Sequence, residues 1–296
     1  MNLNQLRVFS AVASQGSLTA AARALRVSQP AVSKQLSELE ATLGLSLVDR
    51  LPRGIVLSEA GQALRRHAIT IFAAERAAEL ELAELSGLAR GTLSIGASTT
   101  IGNYLLPPLL AQFRQRHPKI QLDIEINNTR HVQSEVLEGR LDFGLTEGLV
   151  NTSALEAEII AHDEIVLISN QHSKLPKGGA LAVAELPAYP IILREQGSGT
   201  RDVVEAALLV QGLVLKPVMS LGGTEALKNA VASGLGLAFV SRLAIEREVA
   251  ACQLRVVQVR GLEIRRGLQL ITLKGKRAGS AAQAFIELVR AHPRAG

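Results

Sequence analysis

Three clusters of side chains along this 296-residue chain carry groups whose types and spacing suit molecular recognition. The first is Ser28-Gln29-Pro30-Ala31-Val32-Ser33-Lys34. Its amide, hydroxyls and ammonium can hydrogen-bond base edges or phosphates, and none is bulky enough to keep a helix out of a major groove. The second is Ser98-Thr99-Thr100, with Thr146 further on; the third is the string Arg194-Glu195-Gln196-Gly197-Ser198-Gly199-Thr200-Arg201. Hydroxyls joined to the free N–H groups at a helix start make an anion site that needs no buried cation. Gly197 and Gly199 would let the backbone approach a small ligand closely. Arg194 and Arg201 would either guide an anion inward or balance Glu195 and Asp202. Taken singly, each Ser or Thr is equally a helix cap and Gly-Ser-Gly a turn; the three segments together favour a ligand.

Bond-breaking chemistry finds no such support. Ser98 has no evident His and acid partners for nucleophilic catalysis. Gly197-Ser198-Gly199 lacks the third spaced glycine and the lysine of nucleotide-binding loops. The six histidines show no metal-ligand spacing; His67, His117 and His292 fall on predicted helix surfaces or ends. The single Cys252 excludes a disulfide framework and reads as a small buried residue. No catalytic residue, no metal and no cofactor is expected.

The elements around the first cluster form a recognisable unit. Leu18, Ala21, Ala22 and Leu25 share one apolar helical face, and the alanines let a second helix cross closely. Arg26-Val27 leaves a brief turn before Ser28, an N-cap, and Pro30, tolerated in a first helical turn. Val32, Leu36, Leu39 and Leu43 then recur at helical spacing until Gly44 ends the helix. Two helices joined so briefly make a helix-turn-helix. Because the second buries its leucines, it presents Gln29, Pro30, Ser33, Lys34 and Ser37 outward. The stretch from Leu47 to Leu57 reads as strand, basic turn and strand, a wing carrying Arg50 and Arg53.

These first 58 residues resemble the winged helix-turn-helix of LysR-type transcriptional regulators. The likeness lies in F-x-x-V-A at Phe9 to Ala13, S-x-x-x-A-A at Ser17 to Ala22, and the run from Leu25 to Glu40. It implies double-stranded promoter DNA as partner, with Thr19, Ser28, Gln29, Pro30, Ser33, Lys34, Ser37, Arg50 and Arg53 as the DNA-binding set. It further implies a homotetramer built as a dimer of dimers, an activator role and contact with RNA polymerase.

From Ser58 a helix is predicted to about Leu85. Its heptad seams are Leu57, Leu64, Ile71, Ala78 and Leu85, and Gly61, Ala68, Glu75 and Leu82. They suit a dimer-forming coiled coil, or a helix packed on its own domain. Arg90-Gly91 reads as a hinge.

Beyond it, strands at Thr92–Ser98, Ile120–Ile126 and Leu141–Leu145 alternate with helices at Pro107–Arg116 and Val132–Glu138. A second set follows: strands near Ile165–Ser169, Ile191–Leu193, Val218–Leu221, Gly236–Val240 and Leu254–Val259, and helices at Thr200–Val210, Thr224–Ala232 and Ser241–Val249. Leu268–Leu273 and Ala281–Arg290 return to the first lobe. The alternation predicts largely parallel sheets in two lobes with a cleft at the strand ends. This part is similar to the LysR effector domain, itself like periplasmic binding proteins. The expected architecture is therefore α/β: a winged helix-turn-helix (1–58), a dimerising linker helix (59–89) and a two-lobed effector domain (90–296). Lobe I takes 90–161 and 267–296, and lobe II takes 162–266. Ser98, Thr99, Thr100, Thr146, Arg194, Gly197, Ser198, Gly199 and Thr200 form the expected effector site. Ser98, Thr100 and Thr146 match oxyanion positions of anion-sensing relatives, although Ile101 stands where sulfate-responsive ones are polar. The R-E-x-G-S-G-T-R string is similar to sensors of sulfite-like anions or of phosphorylated carbon-fixation metabolites.

Composition agrees. Net charge is +5, and the first 58 residues hold six basic against three acidic side chains, which suits a polyanion partner there. Eight aromatics leave few platforms for stacking single-stranded bases. The start lacks a secretory pattern, and the uncharged stretch Gly91–Phe113 is broken by hydroxyls, Asn103 and Pro107-Pro108, so a cytoplasmic protein without a membrane helix is expected. The reading is a LysR-type DNA-binding regulator, not an enzyme, controlled by a small anionic effector. The alternatives are a solute-binding module without DNA binding, and a regulator responding to a phosphorylated metabolite.

Overall fold

The computed structural model describes every residue except Pro52, Arg53, 86–90, Asn151, Lys174, 176–179, Arg277 and 292–296, and at Arg50, Ala73, Arg76, Ala77 and 79–85 it describes the backbone alone. Arg53, Arg90 and His292, and the side chains of Arg50 and of the seam positions Leu82 and Leu85, therefore lie outside what is described. The chain divides into two units, Met1–Ala78 and Glu79–Gly296.

The N-terminal unit comprises α1 (Leu3–Gln15), α2 (Leu18–Leu25), α3 (Gln29–Leu43), β1 (Val48–Leu51), β2 (Gly54–Leu57) and the start of α4 (Glu59–Leu85). Each turn has its stop and start signal. Gly16 closes α1 in a left-handed conformation and Ser17 caps α2; Arg26 adopts the left-handed φ of 56° and Ser28 caps α3, which Gly44 ends. Val32, Leu36 and Leu39 are fully buried against Leu6, Phe9, Val12 and Ala21. Strands β1 and β2 pair antiparallel, with Leu51 opposite Gly54. Glu40 fixes the wing by accepting the Leu47 N–H at 2.7 Å and the Val48 N–H at 3.3 Å.

The helix expected as a linker begins at Glu59, and its first turns belong to this unit. Ala68 is buried, while Leu57, Leu64, Ile71 and Phe72 pack on the same core. Arg7 binds both carboxylate oxygens of Glu75 at 3.0 Å. Seam positions 57 to 75 thus serve packing within the chain. Small residues make the approach feasible: a Cβ at Gly61 would lie 2.0 Å from the Leu47 carbonyl oxygen.

The second unit runs β3 (Thr92–Ser98), α5 (Thr99–Tyr104), α6 (Leu106–Arg116), β4 (Gln121–Asn127), α7 (Thr129–Leu137), β5 (Phe143–Glu147), β6 (Leu155–Asn170), β7 (Ala180–Ala182), β8 (Ile191–Arg194), α8 (Gly199–Val210), β9 (Met219–Leu221), α9 (Thr224–Ala232), β10 (Leu237–Ser241), α10 (Glu246–Ala250), β11 (Leu254–Arg260), β12 (Ile264–Leu273) and α11 (Ser280–Ala291). The main ladder is β4-β3-β5-β12-β6-β10-β8-β9, with β11 between β6 and β7. The outer pairs are parallel, as expected, but β5, β10 and β11 meet β12 or β6 antiparallel, so the sheet is mixed.

Strand β6 is ten residues longer at its start than the predicted Ile165–Ser169. Its first half, LEAEIIAHDE, is polar because it is largely exposed, and cross-strand pairing with β12 holds it extended. The expected lobe boundaries fall inside β6 and β12, which pass through both lobes and shift register between Leu268 and Gln269. Lobe I packs Leu93, Ile95, Leu106, Phe113, Phe143 and Phe285 into one core; lobe II packs Ile165, Leu186, Leu193, Val204 and Phe239 into another. The predicted helix Ser241–Val249 is instead a 3₁₀ turn, Arg242–Ala244, followed by α10, because the Ser241 hydroxyl accepts the Leu243 N–H. Cys252 is exposed rather than buried, in a left-handed turn with φ 55°.

Replacing Gly61 by Ala is expected to destabilise the N-terminal unit by about 2 kcal/mol or more, since backbone must move to admit the methyl group. Thermal melts of wild type and variant measure it; an unchanged midpoint would contradict the close approach.

Candidate functional site

In the N-terminal unit the outward face of α3 matches its periodicity. Thr19, Ser28, Gln29, Pro30, Lys34 and Ser37 are exposed and Ser33 half-buried. The Ser28 hydroxyl accepts the Ala31 N–H at 3.4 Å, so its side chain is committed to capping. The Lys34 ammonium lies 3.9 Å from Glu38, one turn on, with its side chain 77% exposed. It is therefore available to a phosphate.

In the second unit the three expected segments meet at the strand ends, around a residue the sequence reading passed over. Arg266 of β12 is buried, its side chain 2% exposed. Its Nε donates to Asp163 of β6 at 2.8 Å, and its Nη1 to Thr200 of α8 at 2.8 Å. Nη2 donates to Thr100 of α5 at 3.3 Å and lies 2.6 Å from Asp163; Nη1 also lies 3.3 Å from Glu147 of β5. Thr100 and Thr200, from opposite lobes, thus share one guanidinium. The Ser98 hydroxyl donates to the Glu147 carboxylate and accepts the Ile101 N–H. Asp163 also receives the Ser241 hydroxyl at 2.8 Å. The expectation of a site without a buried cation is overturned: hydroxyls expected to face a ligand point their lone pairs at Arg266.

The glycine string has a different role from the one expected. Gly197 and Gly199 are pressed against lobe I: a Cβ on Gly199 would meet the Glu147 carbonyl oxygen at 2.1 Å, and one on Gly197 the Arg130 Cβ at 3.0 Å. Gly197 also accepts the Arg130 N–H at 3.1 Å, and Thr129 donates to the Glu147 carbonyl at 3.0 Å. Ser198 is buried beside them. Arg194 is buried too; it binds both Glu195 oxygens, at 2.8 and 2.9 Å, and reaches Thr224 at 2.9 Å and Thr99 of lobe I at 3.4 Å. Burial opposes the Glu195 charge, but Arg194 prevails and holds its carboxyl below the usual range. Arg201 pairs with Glu205 at 2.8 Å rather than with Asp202, whose pKa is raised by burial. Thr146 is fully buried and its hydroxyl has no partner among the described residues; across the β5–β12 ladder stands Gln269, whose Oε1 is likewise buried and unpaired.

A second interlobe cluster lies at the end of α5. Tyr104 donates to Glu225, which Lys228 approaches at 2.9 Å. Lys228 is buried, binds Glu248 at 2.6 Å and sits 5.5 Å above the Tyr104 ring. Burial and the Glu225 bond push the Tyr104 phenol up to about 12. Contrary to the absence of metal spacing in the sequence, Glu125, His131 and Glu135 bring one ligand atom each to within 4.8 Å of one another. However, both Glu135 oxygens are bound by Arg140, which pulls that carboxyl below its usual range.

Comparisons with known proteins agree with this architecture. Residues 3–62 match the family described as bacterial regulatory helix-turn-helix protein, lysR family, and residues 86–294 match the LysR substrate binding domain. The chain belongs to the LysR family of transcriptional regulators. It is 37% identical over 289 residues to the RuBisCO operon transcriptional regulator of Allochromatium vinosum, covering 98% of this chain and 95% of that protein. It is 36% identical over 287 residues to the uncharacterized HTH-type transcriptional regulator YeiE of Escherichia coli K12, covering 97% and 96%. Among solved structures, full-length CbnR complexed with its target DNA aligns at TM-score 0.61 and 24% identity, covering 98% of this chain and 99% of that one. The CcmR regulatory domain of Synechocystis PCC6803 in complex with 2-PG aligns at 0.63 and 24%, covering 68% and 97%. The protein is thus a LysR-type transcriptional regulator with an effector-binding domain. Among the described residues no helix is long and apolar enough to cross a membrane.

Replacing Arg266 by Met would strand Glu147 and Asp163 as buried charges, with an expected loss of about 3–5 kcal/mol. Denaturant titration of the second unit reads it, and a loss under 1 kcal/mol would mean that the pair is not the centre of the fold.

Proposed function

We propose that the regulator reads double-stranded promoter DNA with the outward face of α3 and responds to a small anion held where the two lobes meet. The first half is supported by the exposed Gln29, Lys34 and Ser37 on a helix whose opposite face is fully buried. Lys34 is the phosphate contact and Gln29 a base-edge contact. Thr19, Ser28, Pro30, Ser33, Arg50 and Arg53 complete the DNA-binding set. The working form is a dimer of dimers that activates transcription through RNA polymerase in the cytoplasm. It has no catalytic activity of its own.

One observation carries the effector half: Thr100 and Thr200, from opposite lobes, converge on the buried Arg266 guanidinium. An anion there can bind both lobes at once and favour the closed arrangement only by the margin with which it prefers it. The orphaned Thr146 hydroxyl is a further donor for it, and Ser98, Thr99, Arg194, Gly197, Ser198 and Gly199 shape the site. A phosphorylated carbon metabolite is the second reading. The kinship to a RuBisCO operon regulator and the fold shared with a 2-PG-bound domain favour it over an inorganic oxyanion.

Lys34→Ala is expected to weaken duplex binding on all sequences and lower the salt slope by about 1, whereas Gln29→Ala should mainly relax site preference. Gel shifts at several salt concentrations measure both; unaltered binding by both variants would rule out α3 as the reader. Thr100→Val with Ser198→Ala should remove the thermal stabilisation given by 2-phosphoglycolate, sulfite or sulfate while DNA affinity stays the same. A double variant that still responds like wild type places the effector elsewhere.

A further inference from the structure

The interlobe cluster around Arg266 already holds an anion of its own. Glu147, the last residue of β5, is buried with its side chain 3% exposed. One carboxylate oxygen receives the Ser98 hydroxyl and the other lies 3.3 Å from Arg266. Asp163 occupies another side of the same guanidinium. Two carboxylates therefore face one cation, and the Arg266 donors are all directed at Asp163, Glu147, Thr100 and Thr200. An anion entering beside them would meet a second and third negative charge with no spare donor on Arg266. The same low-dielectric burial that strengthens the existing pairs makes that encounter costly.

We propose that Glu147 is an internal ligand: its carboxylate fills the anion position formed by Ser98 and Arg266, and an effector anion gains that position only by displacing it. This assignment rests on the effector reading above for its biological use, but the site it describes is separable. Glu147 is then a specificity-determining residue. It sets a threshold that favours ligands able to replace a carboxylate with more acceptor oxygens, such as a phosphoryl group, over weak monoanions. Its backbone is independently fixed, because its carbonyl accepts the Thr129 hydroxyl at 3.0 Å and abuts Gly199, so the side chain can turn away without unlocking β5.

The test compares wild type, Glu147→Gln and Glu147→Ala by calorimetry and thermal shift, using phosphate, sulfite, 2-phosphoglycolate and formate at constant ionic strength. Glu147→Gln, which keeps the shape and loses the charge, is expected to bind 2-phosphoglycolate or phosphate at least tenfold more tightly than wild type. Glu147→Ala is expected to gain a saturable stabilisation by formate that wild type lacks, formate taking the vacated carboxylate position. If the Ala variant folds only when formate or phosphate is present, that supports the assignment as well. Equal or weaker anion binding by a folded Gln variant, together with no formate response in the Ala variant, would overturn it. So would an Ala variant that no anion restores. A wild type that responds to none of the anions while Glu147→Ala responds to formate would remove the anion-effector reading and leave the internal ligand standing.

Discussion

A guanidinium taken out of water needs partners for every N–H, and Arg266 finds them on four different elements. That requirement organises the second unit. Asp163 and Glu147 supply the opposing charge, and Thr100 and Thr200 supply oxygens from lobe I and lobe II. Glu147, Thr100 and Thr200 are at the end of a strand or the start of a helix, and Asp163 is on the interior of β6. Desolvating such a cluster is expensive, so its contribution is less to net stability than to a single arrangement of the lobes. The close glycine contacts of Gly197 and Gly199 follow from it: once the guanidinium draws α8 towards β5, a Cβ at Gly199 would collide with the Glu147 carbonyl.

Strands β6 and β12 tie the two lobes together. All of β12 is paired with the first eleven residues of β6, and the two strands serve both cores, so the lobes share a ladder rather than a loose tether. The register shift between Leu268 and Gln269 interrupts that ladder near the buried arginine.

Local chemistry made the N-terminal unit readable. Ser28, Pro30 and Gly44 punctuate α3 within the sequence itself, and Val32, Leu36 and Leu39 announce the buried face. The interlobe cluster was half readable, because Ser98, Thr100 and Thr200 sit beside recognisable strand-to-helix junctions. Arg266 was not, because the predicted strand Leu268–Leu273 leaves the polar stretch Ile264-Arg265-Arg266-Gly267 outside it; once β12 begins at Ile264, alternation puts Arg266 on the buried face of Ile264, Leu268 and Leu270. Long-range pairing with Glu147 and Asp163, over a hundred positions away, is what makes that burial possible. An acidic residue ending a buried strand, as Glu147 does, was the available signal, since an unpaired carboxylate is not left in a core. The first half of β6 escaped notice for the complementary reason: Glu156, Glu158 and Glu164 give it a surface composition, while its strand character comes from β12.

The early turns of α4 are fused to the winged helix by Gly61, Ala68 and the bond between Arg7 and Glu75. A helix anchored this way cannot roll on its own body without tearing a packed seam. Those turns and α3 therefore form one body, and any rotation of this stretch of helix turns the exposed side chains of Gln29 and Lys34 through the same angle.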